Sequence, residues 1–161
     1  MKNLIVLLMS VFFVTAIHAQ SKVTLGQCQG DTVSYLKKVF DENKSCFIGQ
    51  PFSKVMDEWT SQMTVNQLTF KDTGIWPTKE EEKLLVRGVS LYLDTEDEFD
   101  LKGLRHEPCY GISVVFASPY FQKADSLRRL RDSEGTALGS KLYEQLKNYI
   151  VKDIYMFELR Q

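Results

Sequence analysis

Histidine is scarce in this chain: there are two among 161 residues, and only His106 lies beyond the first twenty positions. A single histidine supports no Ser-His-Asp set, and neither a glycine-rich phosphate loop nor an HExxH pair occurs. A basic excess is missing too. Twenty Lys and Arg face 21 Asp and Glu, a net charge of −1, whereas readers of nucleic acid carry an obvious positive surplus. No internal repeat, low-complexity tract or linker interrupts the chain. Outside residues 4–17 no apolar run approaches the roughly 20 residues a bilayer crossing needs. Aromatic side chains, by contrast, are plentiful: ten Phe, seven Tyr and two Trp supply a real core and argue against disorder.

Residues 1–19 read as a cleaved secretory signal. Met1-Lys2-Asn3 gives a positive start, residues 4–17 are uncharged and apolar, and Ala19 suits a signal peptidase. Cleavage before Gln20 excludes a lipid anchor, which requires cysteine at the new terminus. The expected product is one domain spanning residues 20–161, exported to a periplasm or secreted. Lys2 leaves with the signal, so 19 basic residues remain against 21 acidic ones. Cys28, Cys46 and Cys109 all stay, and an oxidising compartment would pair two of them. A bridge from Cys109 to Cys28 or Cys46 is the expectation, because the helix predicted between Cys28 and Cys46 would hold those two apart.

The C-terminal stretch 147–159 anchors the fold reading. Ile150, Val151, Ile154, Tyr155, Met156, Phe157 and Leu159 make it apolar on both faces, which predicts a central strand covered on both sides. Earlier in the chain, Asp31 or Thr32 caps a helix with Val33, Leu36, Val39 and Phe40 on one face. Pro51 takes the first position of an amphipathic helix carrying Phe52, Val55, Met56 and Trp59 at i, i+3, i+4 and i+7. Strands follow at 65–71, 84–93 and 111–117, the second holding Gly88 as a bulge or a close backbone approach. Residues 94–108 read as a polar loop. Ser118-Pro119 is expected to open a helix through Leu127 and Leu130, and Thr136 to cap the helix of Leu138, Leu142, Leu146, Tyr149 and Ile150. The order α-α-β-β-β-(α)-α-β gives an α+β fold, a small antiparallel sheet of about four strands with helices packed mainly on one face.

One resemblance follows from this layout. A helix, then Ile48-Gly49-Gln50-Pro51-Phe52-Ser53-Lys54-Val55, then three strands resembles the helix-helix-sheet module of outer-membrane assembly lipoproteins and the β-lactamase-inhibitor-protein fold. It covers residues 31–117, and its signal is Gly49 followed by a small polar residue and Val55. The chain departs from it in lacking the lipid-anchor cysteine and in adding a C-terminal helix and strand. The resemblance implies protein binding rather than chemistry.

Several residues invite a chemical reading. His106-Glu107-Pro108-Cys109 places a base and a carboxylate beside a thiol, the ingredients of a cysteine nucleophile. Pro108 stiffens that segment, and the competing reading is a loop histidine next to a structural cysteine. Asp94, Glu96, Glu98 and Asp100 could offer oxygens to a hard cation. The EF-hand register fails, however, with Phe99 where glycine and Arg105 where the bidentate acid belong, so a solvated hairpin tip competes. Arg128, Arg129 and Arg131 form a basic patch suited to carboxylate or phosphate, unless they pair with acids of the same chain. Trp76, in a turn, could anchor a sugar or a partner.

The balance favours an exported, non-catalytic binding or inhibitor-like module of the bacterial cell envelope. It would need no cofactor, and its partner would be a protein or an envelope polymer. A cysteine-dependent or metal-assisted hydrolase built on Cys109 and His106 is the first alternative. A carrier of small apolar ligands, with its pocket between helices and sheet, is the second.

Overall fold

The computed structural model describes residues 23–72, 84–120 and 122–160. Alternating apolar residues build four strands: β1 (Gln67–Asp72), β2 (Val86–Tyr92), β3 (Cys109–Phe116) and β4 (Val151–Leu159). They form one antiparallel sheet in the order β1-β2-β3-β4. Among the described residues five α-helices accompany it: α1 (Thr32–Leu36), α2 (Phe52–Thr60), α3 (Glu96–Leu104), α4 (Ala124–Glu134) and α5 (Ser140–Leu146). The fold is α+β, as the sequence predicts. No helix among the described residues is long and apolar enough to cross a membrane.

Register sorts the sheet into two faces, because neighbouring residues on a strand point oppositely. Leu68, Leu91, Ile112 and Met156 align on one face, followed by Phe70, Val89, Val114 and Ile154. This face carries the core. Phe116 packs edge-on against Phe52 at 5.5 Å and stacks on Tyr149 at 4.7 Å, which joins α2 and the segment before β4 to the sheet. Phe40 stacks on Phe47 at 5.2 Å beside Trp59, whose indole N–H donates to the Thr64 carbonyl. Burying each such aromatic contributes about 1.5–3 kcal/mol.

The first helix begins as predicted, with Asp31 accepting from the N–H groups of Val33 and Ser34. It then widens into a π-helical stretch, Lys37–Glu42. Pro51 caps α2 in an extended conformation, one position before the helix rather than inside it. There it bridges Ile150, while Phe52 N–H donates to the Tyr149 carbonyl at 2.8 Å. The start of α2 is thereby tied to the entry of β4. Gly88 is a close approach: a Cβ there would strike the Val114 carbonyl.

Four expectations fail. β4 lies at the sheet edge, not the centre, and its residues are buried on one face only, with Lys152 and Tyr155 exposed. Its apolar second face has another use, since Phe157 lies over Gly111 and packs edge-on against Tyr92 at 5.2 Å. Second, the expected loop at 94–108 contains α3. Thr95 and Glu98 form a reciprocal capping box, and Glu96, Asp97 and Glu98 sit at the positive pole of the helix. This helix lies on the face opposite the other four, with Phe99 edge-on to Tyr92 at 5.6 Å. Third, Ser118-Pro119, a cis peptide, opens no helix. Lys123 bridges Leu85, and α4 begins only at Ala124. Fourth, Thr136 does not cap α5. The Glu134 carboxylate does so from the end of α4, accepting from Lys141 and Leu142 N–H at 3.0 Å each.

Candidate functional site

Four of the helices bury one face of the sheet; the other carries a different population. Its middle rung reads Thr69, Ser90, Ser113, Tyr155 across all four strands, and the next reads Lys71, Gly88, Val115, Asp153. Ser90 and Ser113 are buried although no helix need cover hydroxyls there. Their roof is made by Lys71 and Tyr155, reaching inward from the two edge strands. The Lys71 ammonium donates to the Tyr155 hydroxyl at 2.9 Å and stands 5.1 Å from the ring centroid. Spanning three strand intervals of about 4.8 Å takes two long side chains. Gly88, in the same rung as Lys71, presents no side chain to obstruct the lysine stem.

The electrostatics follow from this contact. Lys71 holds the Tyr155 phenol below its ordinary value near 10, and the Ser113 hydroxyl beneath adds to the effect. Partial burial and Asp153, itself paired with Lys44 at 3.0 Å, oppose it. Ser113 Oγ is fully buried and has no close hydrogen-bond partner among the described residues. The face therefore offers an ammonium, the Tyr155 hydroxyl and its aromatic ring at one place, beside the Tyr92–Phe157 pair. Such a set can hold a polar ligand. It contains no accessible nucleophile of the Ser or Cys type, since Ser90 and Ser113 lie under the roof.

The residues singled out from sequence take other places. His106 adopts φ 56°, the left-handed region, just past α3. Its N–H donates to the Gly103 carbonyl and Glu107 N–H to the Lys102 carbonyl, the paired bonds of a Schellman cap. Cys109, 1% exposed, opens β3. Burial pushes its thiol up, and the neighbouring Asp94 carboxylate pushes the same way. Asp94 is bound to Lys102 at 2.6 Å, and that hydrogen bond raises the lysine. A thiolate is disfavoured in this setting.

No disulfide joins Cys28, Cys46 and Cys109 in the structure. Cys28 belongs to the main core, whereas Cys109 lies beside the Asp94–Lys102 pair. Among the described residues no group of three or more His, Cys, Asp or Glu side chains could hold a metal ion. Glu98 is engaged in the capping box, and Glu96, Glu98 and Asp100 are distributed along α3 rather than around a loop.

The basic patch divides. Arg128 pairs with Asp72 and Asp125 at 3.2 and 3.1 Å. Arg131 donates to the Leu68 carbonyl, pairs with Asp132 and lies 5.9 Å from the Phe70 ring. Both dock α4 onto β1. Arg129 remains exposed. Trp76 lies outside the described residues. Sequence spacing did not single out Lys71, Tyr155, Ser90 or Ser113. The one available signal was the pair of serines inside otherwise apolar strands, in Val89-Ser90-Leu91 and Ile112-Ser113-Val114.

No protein-family model, curated protein or solved structure matches this chain.

Proposed function

We propose that the protein is an exported, non-catalytic binding module that engages a protein or envelope polymer through the sheet face carrying Lys71 and Tyr155. The observation that carries this reading is the roof itself: an ammonium and a phenol from opposite edge strands meet over buried Ser90 and Ser113. Residues 1–19, read as a signal, and the resemblance to outer-membrane assembly modules support the same direction. The raised Cys109 thiol speaks against the hydrolase alternative.

Binding of the mature chain to purified cell-wall polymer and to solubilised envelope proteins tests it. Lys71→Ala combined with Tyr155→Ala should weaken whichever interaction is found by at least about tenfold, or about 1.4 kcal/mol. A hydrolytic turnover that disappears in Cys109→Ala or His106→Ala would sink the proposal.

A further inference from the structure

Several cations around the sheet are matched by acids of the chain: Lys44 by Asp153 at 3.0 Å, Lys102 by Asp94 at 2.6 Å, Arg128 by Asp72 at 3.2 Å and Arg131 by Asp132 at 2.8 Å. Lys71 is not. Among the described residues its ammonium meets no carboxylate, and its hydrogen bond goes to the Tyr155 hydroxyl. An ammonium has three N–H donors and no acceptor, so two N–H groups remain unspent. Tyr155 Oη accepts in that contact, and Ser113 beneath it favours the charged phenol, which sets a second donor against the same oxygen. The phenol's own proton is thereby left to point outward. Tyr155 is 36% exposed and Lys71 half-buried, so both groups reach solvent; the buried serines below do not, and meet no ligand.

Two donors thus stand together on an open surface, an ammonium and a phenol O–H whose oxygen lies 2.9 Å from it. A carboxylate, with two oxygens and no proton to give, can take both at once. Charge selects among anions. Asp153 stands in the same rung as Lys71 and is neutralised by Lys44. Among the described residues of these two rungs, Lys71 therefore leaves one positive charge uncompensated, which a monoanion balances. A dianionic phosphate, or a polymer with a charge on every unit, would bring further negative charge against Asp153. The exposed Tyr155 ring, with Tyr92 and Phe157 in the adjoining rung, offers apolar contact to the stem that carries the carboxylate.

We propose that Lys71 and Tyr155 together receive the carboxylate of an aspartate or glutamate side chain presented by a partner polypeptide. One carboxylate oxygen accepts from the Lys71 ammonium and the other from the Tyr155 hydroxyl, with the methylenes of the incoming side chain against the Tyr155 ring. This inference rests on the reading of this face as the binding surface, and adds the chemistry of what the face binds.

The test is an amide NMR titration of the mature chain with Nα-acetyl-glutamic acid methylamide. The glutamine counterpart serves as the uncharged probe, methyl phosphate as the phosphate and an oligogalacturonate as the sugar carboxylate. Saturable shifts at the Lys71 and Tyr155 amides, with a dissociation constant in the millimolar range, are expected from the glutamate probe. Added salt should weaken them. Lys71→Met, which keeps the stem, and Tyr155→Phe, which keeps the ring, should each weaken binding about threefold or more, while Lys71→Arg should hold it within about twofold. Amide shifts on the core strands away from these residues report that each variant keeps the fold. Equal shifts from the glutamine probe, tighter binding of methyl phosphate or the oligogalacturonate, or no saturable shift by roughly 50 mM would each overturn the carboxylate assignment and leave the sheet-face reading standing. An envelope interaction that survives Lys71→Ala combined with Tyr155→Ala would instead remove that reading, and this inference with it.

Discussion

Tyr155 shows how one contact changes what a residue can do. Two other tyrosines are pushed up: Tyr35 by burial and by donating to Glu58 at 2.7 Å, Tyr143 by burial and Asp57. Tyr155 alone is lowered, chiefly by Lys71. A phenol lowered in the fold loses its proton before the unfolded chain does. Stability from this contact therefore grows as pH rises toward 10 and is lost as pH falls through the folded value. An ultraviolet titration should show one tyrosine ionising ahead of the rest; Tyr155→Phe should delete that phase and Lys71→Met return it to the ordinary range. An unchanged leading phase in Lys71→Met would refute the assignment. Cys109 follows the opposite sign: its raised thiol keeps its proton while the unfolded chain loses one above pH 9, so stability falls there. Iodoacetamide at neutral pH should accordingly modify half-buried Cys46 first and reach Cys109 only on unfolding. Rapid alkylation of Cys109 in the native protein would revive the nucleophile reading.

Elements were legible in proportion to how locally they are specified. The first three strands follow from period-two alternation, β4 from its dense apolar run, and α2 from its apolar stripe, all written into neighbouring residues. The start of α5 is not, because its cap is a carboxylate seven and eight positions upstream of the two N–H groups it holds. Gly139, where a Cβ would strike that carboxylate, leaves room for it. Glu134→Ala should therefore cost about 1–2 kcal/mol in urea unfolding, whereas Thr136→Ala should cost less than about 0.5 kcal/mol. The reverse ranking would restore Thr136 as the cap. The α3 helix had a local signal, Thr95-Glu96-Asp97-Glu98, that reads as a capping box once the dense acids are taken as a first turn rather than a loop. Its Phe99, Leu101 and Leu104 form no buried stripe, which is why apolar spacing missed it. Lys71 and Tyr155 lie 84 positions apart, and only the pairing of four strands brings them together.

At the scale of the molecule, strand order decides what faces solvent. An apolar C-terminal segment looks central in sequence, yet β4 closes the sheet at an edge and lends Tyr155 and Phe157 to the face without the main core. The contiguous core runs from Cys28 to Ile154 and takes buried residues from α1, α2, α4, α5 and every strand, but none from α3. That helix is held by its capping box, by Phe99 on Tyr92 and by the Lys102–Asp94 pair. Cooperativity should divide along the same line, because elements with few buried apolar contacts open by local fluctuation while core strands exchange only with global unfolding. Native-state hydrogen exchange should find the α3 amides opening well below the global free energy and Ile112 and Val114 of β3 at it. Thr95→Ala should speed exchange in α3 by roughly fivefold, for a cap worth about 1 kcal/mol, and leave β3 unchanged. Protection of α3 equal to that of β3 in the free protein would show that this helix is part of the cooperative core.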